Sequence, residues 1–500
     1  MNNDWVHYLK PLMWVICGLL LGLPAQAQVR ETEASPPVRA TMAVYDRGFA
    51  LINELRRVNL SQGENEVRFT QLPARLDSGS VSFTPLAGPG DMDIREQRYA
   101  YDLDRVEHLF DRYQGETIAV EKGAQTVEGQ LLSVSPEEGD AESGHRPLTL
   151  LGADGEVSVF AGRESIGRVI FPDAAGRAFL TPTLLWRVEA REEGPQNLRL
   201  SYVAEAITWR ASYECVFGEE ENVAYLSGRI ALANESGGHF DAARVKLVVT
   251  EKGETHDPLA GRGAAVEPRL RYAYGITAPV LERQAASAGI MHEYELARPV
   301  SMRSGDTVYT QLCSAEKLPV RRFYVYDGVV FDQFPRNRKN DWNYGTEFRR
   351  TVETHVEFDN DKNVGLGLDL PPGSFRLYQT RGEETVDLVG EDVFAGAPAG
   401  ENGHVLLGPA RELEGERERT GYSEVTPLHE YEESFEIRLA NHSEESVEIR
   451  VVEHLYRWPE YEIVRADTEY RETGAQTIEF LPRLKPGGKR SVHYTVRYRW

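Results

Sequence analysis

Apolar and polar residues alternate along most of this 500-residue chain. The alternation is clearest between Leu198 and Val249, where runs such as LRLSYVAEA and YLSGRIALA are separated by Gly, Asn and Ser. An alternation of period two places successive side chains on opposite faces of a strand, and the small polar residues between runs are typical of turns. The pattern therefore predicts half-buried strands and an all-β protein.

The runs of alternation predict a multi-domain β-sandwich architecture with one short helix and a small β insert. The predicted division is a flexible linker (28–37), an N-terminal β domain (38–100), an amphipathic helix (101–115), a small β barrel or sheet insert (116–180), a β-sandwich (181–274), a linker (275–290) and a C-terminal β-sandwich region (291–500). For the insert, strands that extend a neighbouring sheet are the open alternative.

The predicted helix has apolar residues three and four positions apart, as an amphipathic helix requires. These residues are Leu103, Val106, Leu109, Phe110 and Tyr113. Gly115 follows them and is a typical helix end.

One predicted strand carries charges on its apolar face. In VEIRVVEHLYRW, Val447 and Val451 face one way, and Glu453 and Arg457 continue the same face. A bulge that shifts the register, or an exposed strand end, would explain the two charges.

The N-terminus has the pattern of an export signal. Lys10 precedes the apolar run Pro11–Leu23, and Ala25-Gln26-Ala27 is the small-x-small motif that a signal peptidase accepts. About thirteen apolar residues are too few to span a bilayer, which needs roughly 20. We therefore expect residues 1–27 to be a signal peptide that is cleaved after Ala27. The mature protein should be periplasmic or secreted and should have no transmembrane helix.

Two cysteines, Cys215 and Cys313, remain after the predicted cleavage. In an oxidising compartment they are a possible disulfide, whose loop of about a hundred residues would contribute up to roughly 4–5 kcal/mol. Two separately buried thiols that pack as small apolar groups are the alternative.

The formal net charge is -23, and 41% of the residues are hydrophobic. Nucleic-acid binding needs clustered Lys and Arg to displace counterions, so we expect no nucleic-acid partner. The apolar share is sufficient to build packed cores rather than a disordered chain.

One segment, DQFPRNRKNDWNYGTEFRR from Asp332 to Arg350, runs against the acidic trend. Cationic side chains beside aromatic rings suit an acidic glycan or the acidic surface of an envelope protein. The candidate ligand-binding residues are Arg336, Arg338, Lys339, Trp342, Tyr344 and Arg349. The alternative is an ordinary loop whose arginines pair with the protein's own carboxylates.

Other motifs indicate no catalytic residues, no metal site and no cofactor. The two HEYE motifs at His292 and His429 lack the HExxH spacing of zinc sites, and Asp359–Asn363 begins like a calcium loop but has Val364 where Gly is needed. No GxSxG motif is present, so a hydrolase would need a dispersed active site.

Six segments resemble a bacterial family of exported proteins that share a C-terminal domain of unknown function, some of which are called mucoidy inhibitor A. They are TPTLLWRV (181–188), YVAEAITWRASYECVF (202–217), LANESGGHFDAARVKLV (232–248), LPVRRFYVYDG (318–328), GLGLDLPPGSFRLY (365–378) and KPGGKRSVHYTVRYRW (485–500). Residues 44–77 resemble the N-terminal domain that usually precedes it. The resemblance implies a link to surface polysaccharide and supplies no catalytic residues. The coiled coil of the mucoidy inhibitors is absent from this sequence.

These observations favour an exported cell-envelope protein with a binding or structural role and no enzymatic activity. A secreted hydrolase and an outer-membrane β-barrel-associated protein are the alternatives. The latter follows from the final alternating run VHYTVRYRW, which ends on an aromatic residue.

Overall fold

The computed structural model describes residues 30–86, 92–134, 147–160, 167–218, 222–250, 291–330, 341–382, 385–427 and 429–499. The predicted signal peptide (1–27) and the predicted linker 275–290 lie outside these residues. Strands make up 66% of the structure and helices 4%, which confirms the all-β sandwich architecture. Within the described part of the chain, no helix is both long and apolar enough to cross a membrane.

The described residues up to 205 contain thirteen strands and two short α-helices. In chain order these are β1 (Arg30–Glu33), β2 (Arg39–Tyr45), β3 (Phe49–Leu60), β4 (Gly63–Phe69), β5 (Ser82–Pro85), β6 (Met92–Ala100), α1 (Val106–Arg112), β7 (Thr117–Lys122), β8 (Gln125–Val134), β9 (Leu148–Leu151), β10 (Val157–Phe160), β11 (Arg168–Ile170), α2 (Ala174–Arg177), β12 (Thr183–Ala190) and β13 (Gly194–Glu205).

The rest of the described chain contains strands and one short 3-10 helix, Lys362–Val364. The strands are β14 (Ile207–Phe217), β15 (Val223–Asn234), β16 (Phe240–Thr250), β17 (Met291–Glu295), β18 (Val300–Met302), β19 (Thr307–Asp327), β20 (Thr351–Asp359), β21 (Gly373–Arg381), β22 (Thr385–Phe394), β23 (Asn402–Thr426), β24 (Glu430–Asn441), β25 (Val447–His454), β26 (Tyr461–Ala466), β27 (Tyr470–Gly474), β28 (Thr477–Phe480), β29 (Arg483–Leu484) and β30 (Lys489–Arg499).

The chain divides into two compact units that do not follow the predicted consecutive domains. Unit 1 holds the described residues of Met1–Arg39, Glu54–Ala74 and Val81–Leu200, and unit 2 holds those of Ala40–Asn53, Arg75–Ser80 and Ser201–Trp500. The segment 38–100 is therefore split. The physical reason is long-range pairing, because β2 runs parallel to β16, a strand far along the chain.

Unit 1 contains a four-stranded sheet with the order β1-β4-β12-β6. The prediction that residues 28–37 form a flexible linker is wrong for 30–33, because β1 pairs in parallel with β4, Arg30 opposite Asn65. Its sequence, RETE, has no apolar residue and its side chains are mostly exposed, so the strand has no alternation to detect.

The predicted insert forms a sheet of its own in unit 1, with the order β10-β9-β8-β7-β11 and a small apolar core that includes Ile118 and Leu150. The helix before it spans seven residues rather than the predicted 101–115. Leu103, which precedes the helix, and Val106, its first residue, are both exposed, so the start of the predicted apolar stripe does not pack into a core. Tyr113 does pack in the insert core, and its hydroxyl donates to the Pro172 carbonyl.

Unit 2 contains a fourteen-stranded sheet whose main path is β22-β21-β14-β15-β19-β20-β23-β24-β30-β26. The predicted sandwich 181–274 and the predicted C-terminal region 291–500 both contribute strands to it, so their predicted boundary does not separate sheets. The cause is again distant pairing, since β15 is antiparallel to β19 and β14 is parallel to β21.

The C-terminal core of unit 2 follows the period-two pattern. Phe435, Ile437 and Leu439 of β24 are buried in it together with Val492 and Val496 of β30. These strands are directly paired, Ile437 opposite Val492. Alternate residues of neighbouring strands therefore build one apolar layer, and the candidate segment 332–350 joins two strands of the same sheet.

Candidate functional site

The candidate segment Asp332–Arg350 lies between β19 and β20 and is described from residue 341 onward. Arg336, Arg338 and Lys339 lie outside the described residues. A turn begins the described part, where the Asp341 carboxylate accepts the backbone N–H of the residue two positions later at 2.9 Å. The structure therefore places three of the six predicted ligand-binding residues.

These three residues occupy different surroundings. Trp342 is 62% exposed. Tyr344 is half-buried and packs edge-on against the Tyr456 ring, 5.5 Å between ring centroids, so it belongs to the core. Arg349 is exposed, and its backbone carbonyl accepts a hydrogen bond from the Tyr326 hydroxyl at 2.8 Å. Trp342 is thus the exposed aromatic residue in the described part of this segment.

Among the described residues, a cation that contacts the indole comes from a strand outside the segment. The guanidinium of Arg419, on β23, lies 5.6 Å from the Trp342 ring centroid and 5.0 Å from that of Tyr422. The Arg419 side chain is only 6% exposed and donates to Glu433 at 2.9 Å. A cation–aromatic contact is therefore present, but it uses a buried arginine that the sequence analysis missed.

Beneath the segment, Arg417 and Glu453 form a buried ion pair. The Arg417 Nε lies 2.9 Å from one Glu453 carboxylate oxygen and 3.1 Å from the other. The Tyr494 hydroxyl donates to the same carboxylate at 2.6 Å, and the Arg417 guanidinium lies 3.9 Å from the Phe435 ring centroid. Although burial opposes its charge, the Glu453 carboxylate holds the pKa of the Arg417 guanidinium well above its ordinary value.

A second buried carboxylate, Glu433, accepts hydrogen bonds from Arg457 at 2.8 Å, Arg419 at 2.9 Å and the Tyr456 hydroxyl at 3.2 Å. Burial opposes the charge of Arg457, but the Glu433 contact raises the pKa of its guanidinium overall. Moving two ions into a core is costly unless good geometry and further hydrogen bonds compensate them. Both carboxylates meet that condition here. We call the five charged residues the ionic cluster: Arg417, Arg419, Glu433, Glu453 and Arg457.

The prediction that Glu453 and Arg457 mark a bulge or an exposed strand end is wrong. Both side chains are completely buried, and the β25–β28 register runs through Glu453 without a shift. Their position on the apolar face is explained by partners on other strands. The charges at inward positions were visible in the sequence and could have indicated a buried ion pair. The sequence did not indicate which strands would supply the partners.

The ionic cluster also holds the candidate segment. Arg417 Nη1 donates to the Gly345 carbonyl at 2.9 Å. Arg457 donates to the carbonyls of Asp341 at 3.0 Å and Tyr344 at 3.3 Å. Three carbonyls of the segment are thus bound by guanidinium groups whose charges are fixed inside the core. The backbone on both sides of Trp342 is anchored in this way.

Gly345 permits the close approach of the segment to the core. Its φ is +75°, in the left-handed region that favours glycine. A Cβ atom at this position would lie 2.2 Å from Cζ of Tyr456. A larger residue would therefore force the segment away from the arginines that bind its carbonyls.

The structure gives the calcium-like segment a structural role and groups no metal ligands in the described residues. Asn360, in the calcium-like segment, is buried, and its side-chain amide donates to the carbonyls of Leu368, Ala397 and Pro398 at 2.8–3.0 Å. Across the described ranges, no three His, Cys, Asp or Glu side chains are grouped so that they could hold a metal ion.

Cys215 and Cys313 are free, buried thiols in this structure. They lie on β14 and β19, with β15 between them. Two strand spacings amount to about 9.5 Å, beyond the reach of a disulfide. Burial raises the pKa of Cys215 to about 12 and that of Cys313 to about 11, so both stay protonated and weakly reactive.

No protein-family model matches this chain, and no curated protein matches it either. The resemblance to exported proteins with a C-terminal domain of unknown function therefore stays a prediction.

Proposed function

We propose that this protein is an exported cell-envelope protein with a non-enzymatic role, and that it binds an acidic glycan at Trp342 and the basic residues around it. The observation that carries this proposal is an exposed indole on a segment whose backbone is bound by buried arginines.

The anchoring reduces the entropic cost of binding. A ligand that meets a fixed indole does not have to order the loop first, so less of the contact energy is lost. Tryptophan offers a large apolar face with one polar group, which is the reason that it is enriched at binding surfaces. The apolar face of a sugar ring matches such a surface.

The charge of the segment favours an acidic ligand. Guanidinium groups bind carboxylates with paired hydrogen bonds, and the segment contributes Arg336, Arg338, Lys339 and Arg349 in sequence. Arg350 is already engaged with Glu416 at 3.1 Å, so it adds less. In a chain of net charge -23, a basic segment beside an exposed indole is exceptional.

The location in the envelope rests on the sequence. The signal pattern ending at Ala27 and the resemblance to an exported family support it. The same residues would also suit a second kind of partner, the acidic surface of an envelope protein.

The test is retention of the full-length protein on immobilised polygalacturonate, with neutral dextran as the reference matrix. We expect Trp342→Ala to weaken retention by at least about tenfold and Arg338→Ala to weaken it and reduce its salt dependence. Tyr309→Ala is the matched control, because Tyr309 is 69% exposed on another part of unit 2.

Equal retention of wild type and Trp342→Ala would contradict the proposed surface. Equal binding to the neutral matrix would contradict the acidic ligand. Release of new reducing ends from polygalacturonate would contradict the non-enzymatic role.

A further inference from the structure

A second group of arginines lies in unit 1, on the outer face of its four-stranded sheet. Arg68 on β4 and Arg98 on β6 are both directly opposite Leu185, on the strand between them. Because residues opposite one another share a face, both arginines project from the same side of the sheet.

In the neighbouring row of the same sheet, an arginine is paired with carboxylates. Arg187 lies two residues after Leu185 and forms ion pairs with Glu64 at 3.2 Å and Glu96 at 3.1 Å. Arg68 and Arg98 have no carboxylate within ion-pair distance among the described residues. The same face thus carries one arginine with two ion-pair partners and two arginines that form no ion pair.

A third arginine joins them around one aromatic ring. The guanidinium carbons of Arg68, Arg98 and Arg112 lie 6.0, 5.9 and 5.2 Å from the ring centroid of Phe179. Only Arg112 has a carboxylate partner, Asp102, at 3.0 Å. Other carboxylates lie close by, since Glu33 on β1 is directly opposite Arg68, and Asp104 and Asp111 line a cavity together with Arg98 and Arg112. The guanidinium groups of Arg68 and Arg98 form no ion pair with them.

The ring around which the arginines gather is itself fixed. Asp102 accepts the backbone N–H of Phe179 at 2.8 Å, and its own N–H donates to the Phe179 carbonyl at 2.9 Å. Each guanidinium group gains from its contact with the ring, but like charges gathered there repel one another. Three cations held at a fixed ring suit a ligand with several negative oxygens.

We propose that Arg68, Arg98 and Arg112 form a binding site for a tetrahedral oxyanion, a phosphate or sulfate group, beside Phe179. The planar guanidinium group presents paired N–H donors that match the oxygens of such an anion. The exposed positions of Arg68 and Arg98 allow the anion to reach both groups.

A cavity of 390 Å³ adjoins the arginines and is lined by Arg98, Arg112 and His108 and by the carboxylates of Asp102, Asp104 and Asp111. His108 is bound to Asp104, 2.6 Å from its Nδ1, so the cavity also holds groups that hydrogen-bond hydroxyls. A sugar that bears the phosphate or sulfate group could therefore occupy it. The free anion is the other source of the same chemistry.

The test is titration calorimetry of the full-length protein with inorganic phosphate, sodium sulfate and glucose 6-phosphate, at constant ionic strength. We expect binding that Arg98→Ala and Arg68→Ala each weaken by at least about tenfold. Arg98→Lys keeps the charge but loses the paired donors, so it should bind more weakly than wild type and more tightly than Arg98→Ala.

Arg95→Ala is the matched control, since Arg95 lies on the same strand but pairs with Asp93 and Glu189. It should bind phosphate as wild type does. Tighter binding of glucose 6-phosphate than of phosphate would assign the cavity to a sugar, and equal binding would assign the site to the free anion.

Absence of binding heat with all three probes, or equal weakening by Arg95→Ala and Arg98→Ala, would overturn the proposal. In either case the arginines would serve only to pack Phe179. The result is independent of the glycan surface proposed in unit 2, because Trp342→Ala should leave phosphate binding unchanged.

Discussion

Two groups of arginines, one in each unit, lie in opposite surroundings. In unit 2, Arg417 and Arg457 are completely buried and each meets a buried carboxylate. In unit 1, Arg68 and Arg98 are exposed and meet an aromatic ring without a carboxylate partner in the described residues. The residue type is the same, but burial and pairing differ completely.

The difference separates charges that hold structure from charges available to a ligand. A buried guanidinium has its hydrogen-bonding capacity directed at fixed partners, so it determines where the candidate segment lies. An exposed guanidinium without a partner costs little to keep and gains most when an anion arrives. Burial and pairing, rather than the number of arginines, therefore distinguish the two roles.

A substitution in the ionic cluster should have the largest effect on stability. Arg417→Met leaves the Glu453 carboxylate buried and uncompensated, so we expect the free energy of unfolding to fall by about 3–5 kcal/mol. Urea titration followed by circular dichroism measures it. Arg187→Met, at a half-exposed surface ion pair in unit 1, should cost less than about 1 kcal/mol. Equal losses in the two variants would contradict the distinction.

The anchoring of the candidate segment can be broken at Gly345. Gly345→Ala adds the cost of a left-handed backbone, about 1–2 kcal/mol, to the clash with Tyr456, about 1–3 kcal/mol. Gly400→Ala is the matched control, because Gly400 has a φ of +84° and open space around its Cβ position. The difference in unfolding free energy between the variants measures the clash alone. No difference would show that the segment does not press on the core.

A partly buried histidine, His404, differs from these arginines, because imidazole can lose its proton where guanidinium cannot. Burial and the neighbouring His355 lower the pKa of His404 from 6.5 to about 4, with Arg450 acting in the same direction and Glu357 against it. The folded state thus favours neutral His404. Stability is complete above the unfolded pKa and is lost as the pH falls from about 6.5 to about 4, by up to roughly 3 kcal/mol.

His404→Gln should remove that part of the pH dependence. Unfolding free energies of wild type and variant at several pH values across this window measure the effect. Parallel curves for the two proteins would contradict the assignment to His404.

The strands of this fold could be predicted from the sequence because one buried face leaves an alternation of period two. Runs such as SFEIRLAN carry it clearly, and β24 follows it throughout. Pairing could not be predicted in the same way. β2 with β16 and β14 with β21 are parallel pairs of distant segments, and alternation does not specify a partner. The division into units depends on such pairs.

The candidate site at Trp342 could be predicted from the sequence only in part. Trp342 was recognisable as an aromatic residue in a basic segment, and the structure exposes it. Arg417 and Glu433 each lie at an inward position of their strands, but their partners lie on other elements. Such long-range charge pairs require the sheet order, which the sequence pattern does not contain. The grouping of Arg68 with Arg98 could not be predicted, because it depends on the pairing of both β4 and β6 with β12.

We infer that the ionic cluster fixes the backbone around Trp342. Hydrogen–deuterium exchange of the segment 341–350, compared between wild type and Arg457→Ala, tests it most directly. Glu433 keeps Arg419 as a partner in this variant, so unit 2 should remain folded. We predict faster exchange in 341–350 and unchanged exchange in β14. Unchanged exchange in 341–350, or an equal increase in both regions, would contradict the claim.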